Sequence, residues 1–363
     1  MNDVHPTDAV HPADDAQHPA DAVHLADLVA FSNGRSHPAE GRGYRTYGAN
    51  GVIGTSADYN AAPGSTVIGR VGSYCGVVHY CDDRCWVTDN AIIATPRPGV
   101  NPRYIYYLLK RLDLNRYRIG SGQPLLTHGL LNRLTTGRMT RSEQDSAART
   151  LGALDDKIAA NARVAALADE LIRARYRELA ATAPASTPLA HLGSLVRSNV
   201  PAEHITPDEN YIALEHMPKR RMWLSSWTDA SAVTSAKRRF QPGDVLFGKL
   251  RPYFHKVGLA FVDGVASTDI LVIRPKDPAH RGWLLAALSS DEVVAHASAL
   301  GDGTRMPRAK WPDIAARRIP WDAGQAVRFN DFVAPLAERV EAATAESRTL
   351  ASLRDALLPA LIP

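Results

Sequence analysis

The second half of this chain repeats the first, which dictates that one kind of module is built twice. Laid on itself at an offset drifting between 167 and 182, the chain aligns His24-Leu-Ala-Asp-Leu-Val29 with His191-Leu-Gly-Ser-Leu-Val196. Gly64-Ser-Thr-Val-Ile-Gly-Arg70 then answers Gly243-Asp-Val-Leu-Phe-Gly-Lys249. Tyr74 faces Tyr253, Thr88-Asp89 faces Thr268-Asp269, Tyr106-Tyr-Leu-Leu109 faces Trp283-Leu-Leu-Ala286, and Gly122 faces Gly303. In each copy, short β-branched runs such as Val67-Ile68 and Ala91-Ile-Ile-Ala94, punctuated by Gly, Pro, Asn and Asp, predict strands followed by a short helix. Each copy is thus a mixed α/β module, and 363 residues are too many for one ordinary core.

Each copy closes on a long helix. Leu151, Leu154, Ile158, Ala165, Ala168, Ile172 and Leu179 keep the alternating three-four spacing of a packing seam, and Val333, Leu336, Val340, Leu350, Leu357 and Leu361 repeat it 182 residues later. A helix from Gln144 to Ala180 would run roughly 55 Å, more than a module of this size needs for its own core. Such helices want each other or a partner. Asn161 and Arg354 interrupt the seams and are candidates for fixing register, or else mark solvated turns. Pro335 falls within the first turns of the second helix and weakens it.

Charge is unevenly distributed. Residues 1–27 hold six Asp and no Lys or Arg, so the formal +4 becomes +10 for the remainder, a balance that fits a polyanionic partner. Arg outnumbers Lys 34 to 8, which suits phosphate and guanine edges and equally reflects codon usage in a GC-rich genome. The degenerate repeat Asp8-Ala-Val-His-Pro-Ala-Asp14 and Asp15-Ala-Gln-His-Pro-Ala-Asp21 reads as a flexible acidic tail over 1–23, and Thr182-Ala-Pro-Ala-Ser-Thr-Pro188 as a linker. The acidic start is unlike a signal peptide, no apolar run is long enough to span a bilayer, and three cysteines within eleven residues suit a reducing compartment. The expected location is cytoplasmic.

Catalytic motifs are weak. Gly243-Asp-Val-Leu-Phe-Gly-Lys-Leu250 misses the phosphate-cradling loop by one residue, since Leu250 offers no hydroxyl, and its interior reads as strand. Asn101-Pro-Arg-Tyr104 is near the Asn-Pro-Pro-Tyr motif of adenine methyltransferases, but its third position is wrong, and a helix cap followed by Pro explains it better. Cys75, His79, Cys81 and Cys85 lack the paired knuckles of a structural zinc site. What remains is cations set among aromatics in turns. These are Lys219-Arg220-Arg221, Lys237-Arg238-Arg239, then Lys249, Arg251, Tyr253, His255 and Lys256, with Arg70, Tyr74, His79 and Arg84 in the first copy. A polar loop precedes each long helix, Ser121-Gly-Gln123 and Asp302-Gly-Thr-Arg305. Lys and Arg would grip phosphate while Arg, Gln and Tyr on protruding loops read base edges, although any one of them is also at home on a solvated face.

With these residues in place the chain resembles the specificity subunit of type I restriction-modification systems. The resemblance rests on Tyr47-Gly-Ala-Asn-Gly-Val-Ile-Gly54, the Gly64 to Arg70 and Gly243 to Lys249 strands, Thr88-Asp89 and Thr268-Asp269, Ser121-Gly-Gln123, and Gln144 with Leu154-Asp-Asp-Lys-Ile158. Their order, occurring twice with a long helix after each copy, carries it.

It implies an α+β fold, with two similar mixed α/β target recognition domains separated by two long antiparallel helices in internal pseudo-twofold symmetry. The expected division is a tail at 1–23, recognition domain 1 at 24–141, the central helix at 142–182, a linker at 183–190, recognition domain 2 at 191–321 and the C-terminal helix at 322–363.

Each domain would read half of a bipartite site in double-stranded DNA through Arg70, Tyr74, Gln123, Lys219, Arg220, Lys237, Arg238, Lys249, Arg251, Tyr253 and Arg305. The helices, through Leu151, Leu154, Ile158, Leu179, Leu336, Val340, Leu357 and Leu361, would set the gap and dock two methyltransferase (M) subunits, with restriction (R) subunits as further companions. S-adenosylmethionine belongs to the partner, and this chain would hold no cofactor, metal or catalytic residue. The rival readings are a self-sufficient adenine methyltransferase built on Asn101 to Tyr104 and a zinc-dependent DNA-binding regulator built on Cys75, Cys81 and Cys85.

Overall fold

The computed structural model describes residues 22–37, 40–120, 124–301 and 306–363. The chain forms two compact units, one containing residues up to Asp156 together with Ala351–Pro363, the other Lys157–Leu350. In the first copy the order is β1 (Ala22–His24), α1 (Leu25–Leu28), β2 (Val29–Asn33), β3 (Glu40–Gly48), β4 (Gly51–Ser56), β5 (Ser65–Gly69), β6 (Val78–Cys81), β7 (Cys85–Val87), β8 (Ala91–Pro96), α2 (Pro102–Arg111), α3 (His128–Arg133), β9 (Thr135–Gly137) and α4 (Arg141–Ala181). The second copy starts with β10 (Ala185–Pro188), α5 (Leu189–Leu192), β11 (Gly193–Leu195), β12 (Asn199–Val200), β13 (Asn210–Ile212), β14 (Thr228–Asp229), β15 (Lys237–Phe240) and β16 (Val245–Gly248). It continues with β17 (Val257–Leu259), β18 (Gly264–Ala266), β19 (Ile270–Pro275), α6 (Arg281–Leu288), α7 (Asp291–Ala299), α8 (Trp311–Ala316), β20 (Arg318–Trp321) and α9 (Ala323–Leu361).

The duplication is visible in strand pairing. One antiparallel sheet runs β2-β8-β5-β6 and its counterpart β11-β19-β16-β17. The central strands β5 and β16 are buried at every position, which is why Ser-Thr-Val-Ile-Gly and Val-Leu-Phe-Gly read as continuous runs without polar alternation. A second sheet in each unit contains one parallel pair, Tyr47↔Val87 in β3 and β7 and Ile212↔Ala266 in β13 and β18.

Backbone geometry corrects the internal alignment in two places. Leu25 N–H donates to Leu134 O as Leu189 N–H does to Arg317 O, so the copies start at an offset of 164, with Leu25-Ala-Asp-Leu28 matching Leu189-Ala-His-Leu192. The shared His-Leu dipeptide had drawn the sequence register three residues off. Likewise Thr88 N–H donates to Tyr47 O and Ser267 N–H to Ile212 O, so Ser267, one residue before Thr268, is the partner of Thr88.

The expected linker is also structured. Ala185–Pro188 is a strand pairing with Arg318–Trp321, the counterpart of β1 against β9. A Pro/Ser/Thr composition is compatible with an edge strand, and the fully buried Leu189 anchors its end. The last residues of the expected tail, Ala22 and Val23, belong to β1, while 1–21 lie outside the described residues.

Both long helices are continuous, α9 running through Pro335. Each contributes to both units. Ala147, Ala148 and Leu151 of α4 join Leu358 of α9 and Ile362 just past its end in the first core, where Tyr104, Ile105 and Leu108 also lie. Ala168, Ile172 and Tyr176 of α4 join Phe329, Val333, Ala337 and Val340 of α9 around Trp283 in the second. On α4, Leu154, Ile158 and Leu179 are half-buried. On α9 Val333 and Val340 of the expected seam are buried, and the stripe also takes in residues beside it. Ala337 and Leu358, with Ile362 just past the helix end, are buried, while Leu336, Leu357 and Leu361 are half-buried and pack against the cores.

Polar groups fix the helix pairing in each unit. In the second, the buried Asn161 amide donates to Ala343 O at 3.2 Å, Glu346 Oε2 at 2.8 Å and Ser347 Oγ at 3.1 Å. In the first, Asp155 accepts from Tyr107 Oη of α2 and Arg354 Nη1 of α9, each at 2.7 Å. Both interruptions of the seam are therefore working contacts. Replacing Asp155 by Ala removes two charge-assisted hydrogen bonds and is expected to cost about 2–3 kcal/mol, with Asp155→Asn costing less, read from urea unfolding of the full chain.

Candidate nucleic-acid interface

In each unit the turn after the central strand of the duplicated sheet presents an exposed tyrosine. In the first unit β5 ends at Gly69, where a Cβ would sit 2.2 Å from Tyr74 O, and Arg70 N–H donates to Asn90 O. A 3-10 turn over Gly72–Tyr74 follows and presents Tyr74 at 49% exposure, with Arg70 half-buried beside it. In the second unit Lys249 N–H donates to Asp269 O, and a 3-10 turn over Pro252–Phe254 presents Tyr253 at 52% exposure. A second segment buttresses each turn in the same way. Gly72 N–H donates to Pro124 O and Leu126 N–H to Arg70 O, while Arg251 N–H donates to Pro307 O and Ala309 N–H to Lys249 O. Tyr74 and Tyr253, with Arg70 and Lys249, therefore stand at equivalent positions in the two units.

Other expected contact residues divide into three groups. Exposed Lys219 and Arg220 adjoin the Tyr253 turn, the Lys219 ammonium lying 4.6 Å above the Phe254 ring and Arg220 N–H donating to His255 O. The half-buried Lys249 and Arg251 belong to the turn itself. Lys237 and Arg238 stand on β15, in the other sheet. Lys237 is 7% exposed, its ammonium donating to Ser235 O and Oγ at 2.8 Å, and burial holds its pKa below the ordinary lysine value. Gln123 and Arg305 lie outside the described residues.

The backbone of the second turn is strained. Arg220, Arg251 and His255 all have left-handed φ, at 56°, 50° and 54°. Each costs a non-glycine residue on the order of 1 kcal/mol. His255 is 2% exposed, and its Nε2 lies 2.8 Å from Ser289 O, which also accepts from Arg173 Nη1 at 2.5 Å. Because a carbonyl can only accept, Nε2 carries the proton. Asp291 Oδ1 lies 3.4 Å from His255 Nδ1 and pairs with Arg220 at 2.9 Å. The sequence groups His255 with the cations set among aromatics in turns, and its burial removes it from them. The signal against that was its alignment with Gly76, at the 179 offset that matches Gly69 to Gly248.

The rival sites are accounted for locally. Asn101 caps α2, its Oδ1 accepting from Arg103 N and Tyr104 N while its amide donates to Asp145, and Tyr104 is 1% exposed, so neither is free to hold a flipped base. The Gly243 to Leu250 stretch contains strand β16, hydrogen-bonded on both edges to β17 and β19. Cys81 and Cys85 are joined as a disulfide, contrary to the expectation of reduced thiols, because the short 82–84 connection returns β7 beside the end of β6. Cys75 is buried and donates to Arg70 O. Among the described residues no three His, Cys, Asp or Glu side chains are grouped to hold a metal.

The fold resembles that of the type I restriction-modification S subunit from M. genitalium, with a TM-score of 0.58 over 94% of this chain and 96% of that one at 15% identity. In sequence the chain resembles type I restriction specificity subunits of Escherichia coli. It is 31% identical to the EcoprrI subunit over 91 residues, covering 25% of this chain and 23% of that protein. It is 31% identical to the EcoDI subunit over 106 residues, covering 27% and 23%. The match thus spans under a quarter of either relative's length. No protein-family model matches the chain. The resemblance read from the motifs is found again in these relatives, and the α+β architecture of two similar modules with paired long helices is that of an S subunit.

Burial holds the His255 imidazole below its ordinary pKa of 6.5, with Arg173 and Arg220 pushing the same way and Ser289 O and Asp291 opposing. The unfolded chain therefore binds a proton near pH 6.5 that the folded chain refuses, so this group's contribution to stability falls as pH drops below about 6.5. The urea midpoint of the wild type should fall more steeply from pH 7 to 5.5 than that of His255→Gln, and parallel profiles would contradict the assignment.

Proposed function

We propose that this chain is the DNA-specificity subunit of a type I restriction-modification complex and catalyses nothing itself. The observation that carries this reading is the pair of equivalent exposed turns, a tyrosine beside a cation in each unit, raised from a duplicated sheet of S-subunit fold. Arg and Lys on such turns supply phosphate affinity, and Arg and Tyr side chains reach base edges. Each recognition domain reads one half of a bipartite duplex site. The antiparallel helices set the unread gap and dock two methyltransferase subunits, which bring S-adenosylmethionine and methylate adenine. Restriction subunits, where the system has them, join the same assembly, which works in the cytoplasm.

The test is genome-wide adenine methylation in strains with and without the gene, where the reading requires loss of one bipartite motif. An unchanged pattern in a strain with active partner subunits would overturn it. Within the complex, Arg251→Ala should weaken binding by roughly 1–3 kcal/mol through the second half-site alone, measured on duplexes altered in one half at a time. Equal weakening for both halves would refute modular reading.

A further inference from the structure

The two copies of the exposed turn share a backbone but reach it by different means. At the 179 offset, Gly72 and Gly76 correspond to Arg251 and His255, and all four have left-handed φ, at 73°, 89°, 50° and 54°. Glycine adopts this conformation freely, whereas Arg and His do not. The first copy could not carry a side chain at Gly76, because a Cβ would lie 2.4 Å from Asn115 N. The second copy carries an imidazole there, and α7 stands where the first copy has a 3-10 turn over Leu114–Tyr117. A strained histidine persists where its ring is held. Here the ring is held by the carbonyl oxygen of Ser289, the C-cap residue of α6, which accepts from both His255 Nε2 and Arg173 Nη1. Arg173 is steadied in turn by the buried Asp169 one helical turn earlier on α4, at 3.1 Å.

We propose that His255 and Arg173 are positioning residues for DNA reading, which clamp the Tyr253 turn to α4 through the Ser289 carbonyl. The proposal rests on the functional reading above and names the residues that set the precision of its second half-site. Neither side chain need touch DNA. The ring fixes the end of the 3-10 turn, Arg220 is tied to it through the His255 carbonyl, and Lys219 lies over Phe254, so the basic residues of the turn share one anchor.

The test uses the full chain with His255→Gly, which accepts the left-handed backbone without strain and removes the buried ring that anchors it. His255→Gln is its conservative partner, placing an amide nitrogen about where Nε2 stands. Amide hydrogen exchange over residues 250–256, measured on the free chain, should accelerate at least tenfold in His255→Gly and in Arg173→Ala and stay near wild type in His255→Gln. Unaltered exchange in both anchor variants would overturn the proposal whatever the protein binds. In the assembled complex, His255→Gly should lower discrimination at the second half-site at least tenfold and leave the first unaltered. Full discrimination at both halves, or equal loss at both, would also overturn it. A wild-type complex that deposits no bipartite mark would defeat the functional reading instead, and the exchange result would still decide whether the clamp exists.

Discussion

The structure depends on each long helix burying its two ends in different cores. Leu151 near the start of α4 is sealed in the first core and Ile172 near its end in the second, while α9 contributes Val333 to the second and Leu358 to the first. Apolar burial supplies the energy of both attachments, and the polar contacts supply register. Asn161, with three acceptors on α9, and Asp155, held between Tyr107 and Arg354, satisfy their partners only when the helices stand in one alignment, since a shift of one turn would leave buried polar groups unpaired.

Much of this was legible from periodicity. The duplication, the buried central strands and the two seams follow from which residues are apolar and at what spacing. What escaped depends on contacts between residues far apart in the chain. The register of α1 against α5 is set by bonds to Leu134 and Arg317, more than a hundred residues downstream. Ala185–Pro188 becomes a strand only because Arg318–Trp321 lies beside it. On α9 the small residue Ala337 is buried in the core that also holds Trp283, Phe329 and Tyr176, whereas hydrophobicity ranking alone favours Leu336.

The candidate interface was legible in its chemistry and less so in its geometry. The cations and tyrosines were visible as types, and the matching of Tyr74 with Tyr253 holds in the folded turns. A buried lysine and an exposed one look alike in sequence, however, so Lys237, with its ammonium turned onto Ser235, was indistinguishable from Lys219. Likewise Asn101 has the identity a methyltransferase would need, and only its bonds to Arg103, Tyr104 and Asp145 reveal a helix cap.

The contrast between Gly72 with Gly76 and Arg251 with His255 bears on how such a protein diversifies. A turn shaped by glycine needs no side-chain anchor to hold its left-handed residues, so its exposed residues can be replaced while the 124–126 segment still buttresses it. A turn shaped by side-chain anchors changes only when α4, α6 and α7 change with it. After duplication the twin modules are therefore unequal in evolutionary freedom, one open to drift by single replacements and the other canalised by its own scaffold.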